Sequence, residues 1–394
     1  MEYIEDFLYQ AFTRNTRGAL YFVTFLLSLH VFLVIYINSN YLSTFLPEQY
    51  VGLAYILGAC GGFLALSITP LLFTKWGTIR TLKCLLVLEF LTFIGLAVTE
   101  NVVVAVALFI VYSAIPLIVF LILDILIEAR TENENVTGNV RGTVLAVGTI
   151  ALILSPMLTG FILSGNHYER VFLISALLLI PVFFIIHRTF KNEPNRTYIS
   201  LHPRLLVSCI SKAPAITHIF KAHFIMQLFF AWMVIYIPLY LHEHIKLPWE
   251  VIGFIFTIMV LPYLLEFPIG KIADRWLGEK EMLSLGFIIT GLSVGTIPFI
   301  ESNSVFIWAG ILFMTRLGAA FLESMTEIYF FRHVNSADSN TINGFRMLRP
   351  LGYGIGALIG ILSLLIIDIQ YIFIVFSIII FFGLRYSLTI KDTR

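Results

Sequence analysis

The chain has 394 residues, of which 59% are hydrophobic and only 12% charged, and its formal net charge is +1. Soluble domains average about 45–50% apolar and about 25% charged residues, so this chain has too little polar surface to face water on every side. A net charge near zero gives no electrostatic footing for nucleic acid or acidic partners. The three cysteines, Cys60, Cys84 and Cys209, lie far apart and form no CxxC pair, so neither a disulfide framework nor a metal site is expected. The composition is that of a polytopic membrane protein.

The chain opens with acids and no continuous apolar run, so residues 1–17 do not read as a cleavable signal peptide. Tyr3, Ile4, Phe7, Leu8, Ala11 and Phe12 fall at helical spacing and predict an amphipathic segment at the membrane surface. Crossing a bilayer takes about 20 mostly apolar helical residues. Six such stretches follow, at 18–37, 51–74, 80–98, 102–127, 142–164 and 171–186. After the polar segment 187–216 come six more, at 217–241, 250–269, 281–300, 304–330, 345–367 and 370–385. Many are rich in Ile, Val and Phe, yet runs of this length in lipid must satisfy their backbone internally, and a helix does so.

Twelve spans put both termini and every even-numbered connection on one side. All but Arg170, Lys246 and Arg316 of the 25 Lys and Arg residues fall there. The positive-inside rule makes that side cytoplasmic. The expected organisation is a cytoplasmic N-terminal segment (1–17), a first bundle (18–186), a cytoplasmic linker (187–216), a second bundle (217–385) and a cytoplasmic tail (386–394). The expected location is the cytoplasmic (plasma) membrane.

Between the eighth and ninth spans the sequence reads Gly270-Lys271-Ile272-Ala273-Asp274-Arg275-Trp276-Leu277-Gly278-Glu279-Lys280. It resembles the major facilitator superfamily loop signature, G-x-L-A-D-R-x-G-R-K/R, with one extra residue before the second glycine. The corresponding loop of the first half, 70–80, keeps only Gly77 and the basic residues. The resemblance implies an all-α fold of twelve transmembrane helices in two six-helix pseudo-symmetric bundles. It also implies that Asp274 ties the loop to neighbouring helix ends, with Arg332 and the region of Arg141 as partners. The fifth span resembles the family's antiporter motif more loosely: Gly142, Ala151, Ser155-Pro156 and Thr159-Gly160 occupy its positions. Small residues allow close helix approach, and the proline removes one backbone hydrogen bond.

In the superfamily, spans 1, 4, 7 and 10 line the cavity, and the polar residues here follow that scheme. An ionisable side chain within a span is a functional candidate because its burial is costly. Arg316, Glu323 and Glu327 are spaced i, i+7, i+11 and share one face of the tenth span. A mid-membrane arginine cannot readily become neutral, so Arg316 calls for a carboxylate or an anionic substrate group. Glu323, and Asp124 on the fourth span, are the candidate proton carriers. His223, Gln227 and Tyr236 on the seventh span and His30 on the first are candidate substrate contacts. Glu89, in the middle of the third span, has no assigned role.

The sequence contains no GxxxxGK[ST], HExxH or GxSxG motif, so neither ATP hydrolysis nor catalysis is expected, nor any cofactor. The resemblance implies a secondary transporter of a small molecule working by alternating access. Isolated carboxylates and histidines point to the proton as coupling ion. The fifth-span motif leans towards export of an amphipathic molecule by antiport. The alternatives are proton-coupled uptake of a sugar, organic anion or peptide, and a non-transporting receptor or scaffold with the same fold. A monomer in the bilayer is expected.

Overall fold

The computed structural model describes residues 16–128, 134–190, 214–265, 269, 278–334 and 339–390. The amphipathic segment, most of the linker, and Gly270, Asp274 and Arg275 of the loop signature lie outside the described residues. Within them the chain is helical, without strands. The long helices are α1 (Thr16–Ile35), α2 (Glu48–Trp76), α3 (Thr78–Val98), α4 (Val102–Glu128), α5 (Glu134–Ile162), α6 (Tyr168–Thr189), α7 (Pro214–Leu239), α8 (Trp249–Val260), α9 (Glu279–Thr296), α10 (Val305–His333), α11 (Ser339–Leu364) and α12 (Ile369–Ser387). Eleven of these are long and apolar enough to cross a bilayer. The described part of the eighth span, Trp249–Leu265, is shorter.

Three spans depart from a simple α-helix. The first was expected to run to residue 37, but α1 ends at Ile35 and a six-residue helix, Asn38–Ser43, follows. At the end of α8 the chain tightens into a 3-10 segment, Leu261–Leu265, that contains Pro262. Proline has no N–H for the α-helical ladder. After α7, with Pro238 in its last turn, Tyr240–His244 form a π turn.

The chain divides into two compact units, residues 1–35 with 61–200 and residues 36–60 with 201–394. In the first, α1 packs on α5 and α6, and α3 on α4 and α6. In the second, α7 packs on α11 and α12, and α9 on α10 and α12. The same pairing thus recurs six helices later. The backbone repeats as well: Gly77 precedes α3 at φ 80°, ψ 158°, and Gly278 precedes α9 at φ 87°, ψ 160°. Both occupy a region open essentially to glycine alone. The glycine kept in the first-half loop is therefore the one its turn requires.

Lipid tails are as apolar as leucine side chains, so helices in a bilayer associate largely through close packing. In the second unit this occurs along Gly352, Gly356 and Gly360 of α11. A Cβ built on Gly352 would meet Gln227 of α7, one on Gly356 would lie 2.9 Å from the Cβ of Ala231, and one on Gly360 would overlap the Tyr236 ring. Trp232 Nε1 donates to the Gly356 carbonyl at 2.9 Å and the Tyr236 hydroxyl to that of Ala357 at 3.1 Å. Trp232 also stacks on Phe376 of α12, with ring centroids 4.1 Å apart. In the first unit, Thr159 of α5 donates to the Leu33 carbonyl of α1 at 2.7 Å.

These contacts separate glycines that bear packing from one that does not. Gly360→Ala should destabilise the protein by about 1–3 kcal/mol through overpacking, and Gly278→Ala by about 1–3 kcal/mol through backbone strain. Gly142 has open space where its Cβ would stand, so Gly142→Ala should leave stability unchanged or raise it by up to about 1 kcal/mol. Thermal unfolding midpoints of the detergent-purified variants check all three.

Candidate functional site

Arg316 sits in the middle of α10 and is buried, at 3% exposure. Its Nη1 donates to the Tyr263 hydroxyl at 3.3 Å and its Nη2 to the Tyr36 hydroxyl at 3.4 Å, both long hydrogen bonds. The guanidinium carbon lies 5.5 Å from the ring centroid of Phe229 and 5.3 Å from that of Phe230, within cation–π range. Tyr36 in turn packs on Phe256, with centroids 4.9 Å apart. Nε has no hydrogen-bond partner. Among the described residues no carboxylate pairs with this guanidinium.

The local structure explains the aromatic surround. The helix break after Ile35 leaves Tyr36 in a turn, and the 3-10 segment carries Tyr263 past the end of α8. Phe229 and Phe230 are consecutive residues of α7. Arg316 is thus held by weak donors and ring faces, which offset a positive charge only in part.

A second guanidinium lies nearby. Arg349 of α11 is exposed and stands within hydrogen-bonding reach of Tyr353, and Tyr353 lies in the electrostatic field of Arg316. Arg349 also acts electrostatically on His223 of α7. Neither arginine forms an ion pair with a carboxylate among the described residues.

A polar chain runs along α7 and α10. Gln227 Nε2 donates to His223 Nε2 at 3.0 Å, His223 Nδ1 donates to Thr326 Oγ1 at 3.1 Å, and Thr326 donates to the Glu323 carbonyl at 3.1 Å. In this arrangement His223 is the neutral imidazole. Gln227 Oε1 is buried and unpartnered, an acceptor left open at the site. Glu323 itself is half-buried.

The other expected site residues are dispersed. Tyr236 is fully buried, and its hydroxyl is spent on the α11 backbone, so it serves the α7–α11 seam. His30 is buried in the first unit against Ser175 and Glu89. Asp124 is exposed near the end of α4. At the loop signature, Gly278 sets the turn before α9, and Arg332 from the end of α10 hydrogen-bonds the buried Glu279 in the first turn of α9, where the helix dipole favours an acid. Lys280 is half-buried beside it, and Arg141 is exposed. In α5, Ser155 donates to the Ala151 carbonyl at 2.6 Å, Pro156 and Gly160 are buried, and Gly142 faces open space.

Sequence reasoning missed Tyr36, Phe229, Phe230, Tyr263 and Arg349. The need of Arg316 for partners was the available signal, but the break after Ile35 and the 3-10 turn that deliver the tyrosines have no clear sequence mark. Among the described residues no three His, Cys, Asp or Glu side chains converge to hold a metal ion.

Residues 222–392 match the family model of the Major Facilitator Superfamily. The whole chain superposes on the nucleoside transporter NupG at a TM-score of 0.75, with 14% identity, covering 96% of this chain and 100% of that one. A substituted form of NupG superposes at 0.76, again with 14% identity, covering 95% and 100%. The family match covers less than half of the chain, and the superpositions show the same fold over nearly all of it. No curated protein matches it significantly in sequence. The match lies in the half that carries the fuller loop signature and does not reach the half in which only Gly77 and the basic residues remain.

If Arg316 were locked to a carboxylate, removing it would leave a buried partner charge and cost about 3–5 kcal/mol. With tyrosines and phenylalanines as its surround, Arg316→Gln should leave the unfolding midpoint unchanged or raise it. A drop of the ion-pair size in a thermal melt would show that a carboxylate depends on this arginine.

Proposed function

We propose that the chain is a secondary transporter that moves a small organic anion bearing a flat ring, with its site opening to one side of the membrane and then to the other. The observation that carries this reading is the buried guanidinium of Arg316, which meets two tyrosine hydroxyls and two phenyl faces but no carboxylate among the described residues. An anionic group would supply the missing counter-charge, and an Nε without a partner is a donor in place for it. Phe229, Phe230 and Tyr36 would take the ring, and the open Oε1 of Gln227 would accept from a ligand N–H or O–H. Arg349 adds a second positive charge at an exposed position.

Coupling is assigned to the proton, with Glu323 and Asp124 as carriers: an anion that travels with a proton crosses as a neutral pair. The two solved neighbours are nucleoside transporters, and at 14% identity they support the fold alone. Export is the second reading. It rests on the small-residue face of α5, where Ser155 and Thr159 lie buried. The membrane is taken to be the cytoplasmic one, with both termini inside, from the distribution of basic residues.

Thermal unfolding with a ligand panel tests this. The panel holds aromatic carboxylates, nucleotides, neutral nucleosides, sugars and peptides. A ligand at a hundredfold excess over its dissociation constant stabilises by about 2.7 kcal/mol. A ring-bearing anion should raise the midpoint, and Arg316→Gln should abolish the shift. A shift from neutral nucleosides alone would overturn the substrate class while leaving a transporter. With the anion identified, Glu323→Gln and Asp124→Asn in sealed vesicles should retain binding but lose accumulation driven by a pH gradient.

A further inference from the structure

The first unit holds a second buried polar cluster, which the transport site does not use. His30 of α1 and Glu89 of α3 are each 2% exposed. His30 Nε2 lies 3.4 Å from Glu89 Oε1. The other ring nitrogen is engaged by α6: the Ser175 hydroxyl donates to the His30 carbonyl at 2.7 Å, which leaves His30 Nδ1–H to donate to the Ser175 carbonyl at 2.9 Å and to its Oγ at 2.7 Å. Phe93 packs on the imidazole with centroids 4.3 Å apart, and Phe172 of α6 and Tyr112 of α4 stand edge-on to Phe93.

This geometry fixes the proton count. Because Nδ1 carries a hydrogen for Ser175, Nε2 of a neutral ring is an acceptor, and an ionised carboxylate is also only an acceptor. Two acceptors facing each other do not bind, so the contact requires one proton between them, on the carboxyl or on the ring. With that proton the pair is neutral overall. Without it, a net negative charge is buried. Glu89 Oε2 has no hydrogen-bond partner to spread that charge. No Lys or Arg is among the described contacts of the pair. The titratable side chain that α4 brings is Tyr112, α6 contributes Ser175 and Phe172, and α5 reaches α1 through Thr159, which donates to the Leu33 carbonyl.

We infer that His30 and Glu89 form a proton-binding site in the first unit, holding one exchangeable proton on the Glu89 carboxyl, which donates it to His30 Nε2. Uptake converts neutral imidazole plus carboxylate, net charge −1, into the neutral pair, and release reverses it. No other atom changes bonding. Both partners are sealed from water in the described structure, so exchange requires α1 to part from α3 or α6. The deprotonated pair is costly to keep buried, so loss of the proton favours that parting. Occupancy is thereby linked to the packing of three helices, independently of substrate class.

Infrared spectra of the full-length protein in lipid, recorded from about pH 5 to about pH 9 across the histidine range, test the site directly. The wild type should show a protonated-carboxyl band that is lost as pH rises. Glu89→Gln should lack that band at every pH. If Glu89→Gln does not fold, Glu89→Asp should shift the band rather than delete it. In His30→Gln the carboxyl has no base beside it, and the band should persist over the whole range. A wild-type spectrum without a titrating carboxyl band that depends on residue 89 overturns the inference, as does a His30→Gln band that titrates like the wild type. Asp124→Asn and Glu323→Gln should leave the band untouched, so failure of the transport reading is distinguishable from failure of this one.

Discussion

Helices in a bilayer have no water to drive them together, so each contact depends on how closely two backbones can approach. In the second unit that constraint is met by the glycine seam of α11 against α7. Gly352, Gly356 and Gly360 let α7 lie against the α11 backbone, and Trp232 and Tyr236 lock the seam by donating to the Gly356 and Ala357 carbonyls. The side chains of the candidate site are set by the same seam. Gln227 faces Gly352, Phe229 and Phe230 are held one turn from Trp232, and Tyr353 and Arg349 are carried on α11 at the height this packing dictates. A shift of one helix against the other would move both sides of the site together.

The two units handle buried charge in opposite ways. In the first, His30 and Glu89 offset one another across 3.4 Å, and α6 fixes the ring through Ser175. In the second, Arg316 is left with hydroxyls and ring faces, contacts that reduce the cost of a buried cation without cancelling it. Folding does not require the latter arrangement, because an apolar side chain there would avoid the desolvation cost. The unbalanced site is therefore the better candidate for binding something charged from outside, and the balanced one for exchanging the smallest ligand, a proton.

Much of the architecture was legible in the sequence, because span length is imposed by the bilayer. Gly77 and Gly278 were readable for a similar reason: a backbone shape closed to other residues marks the sequence strongly. Arg316 stood out because it is a charge within a span. Its surroundings did not. Tyr36 and Tyr263 reach it through a helix break and a 3-10 turn, and Arg349 was counted among the basic residues of one membrane side. Tyr236 was singled out as a polar group within a span, yet an interhelical hydrogen bond consumes its hydroxyl, and a sequence does not show whether such a group points at a cavity or at a neighbouring helix.

The aromatic fence around Arg316 has a consequence for selectivity. Phenyl rings cannot replace the water that an incoming anion gives up, and two tyrosine hydroxyls replace little of it. Small anions with dense charge keep their hydration shells most firmly and lose most on entering such a place. Anions whose charge is delocalised over a ring or conjugated group lose far less, and their flat faces contact the rings directly. A substrate site of this construction would sort anions by the strength of their hydration before shape is consulted, and would so exclude abundant inorganic ions without a steric gate.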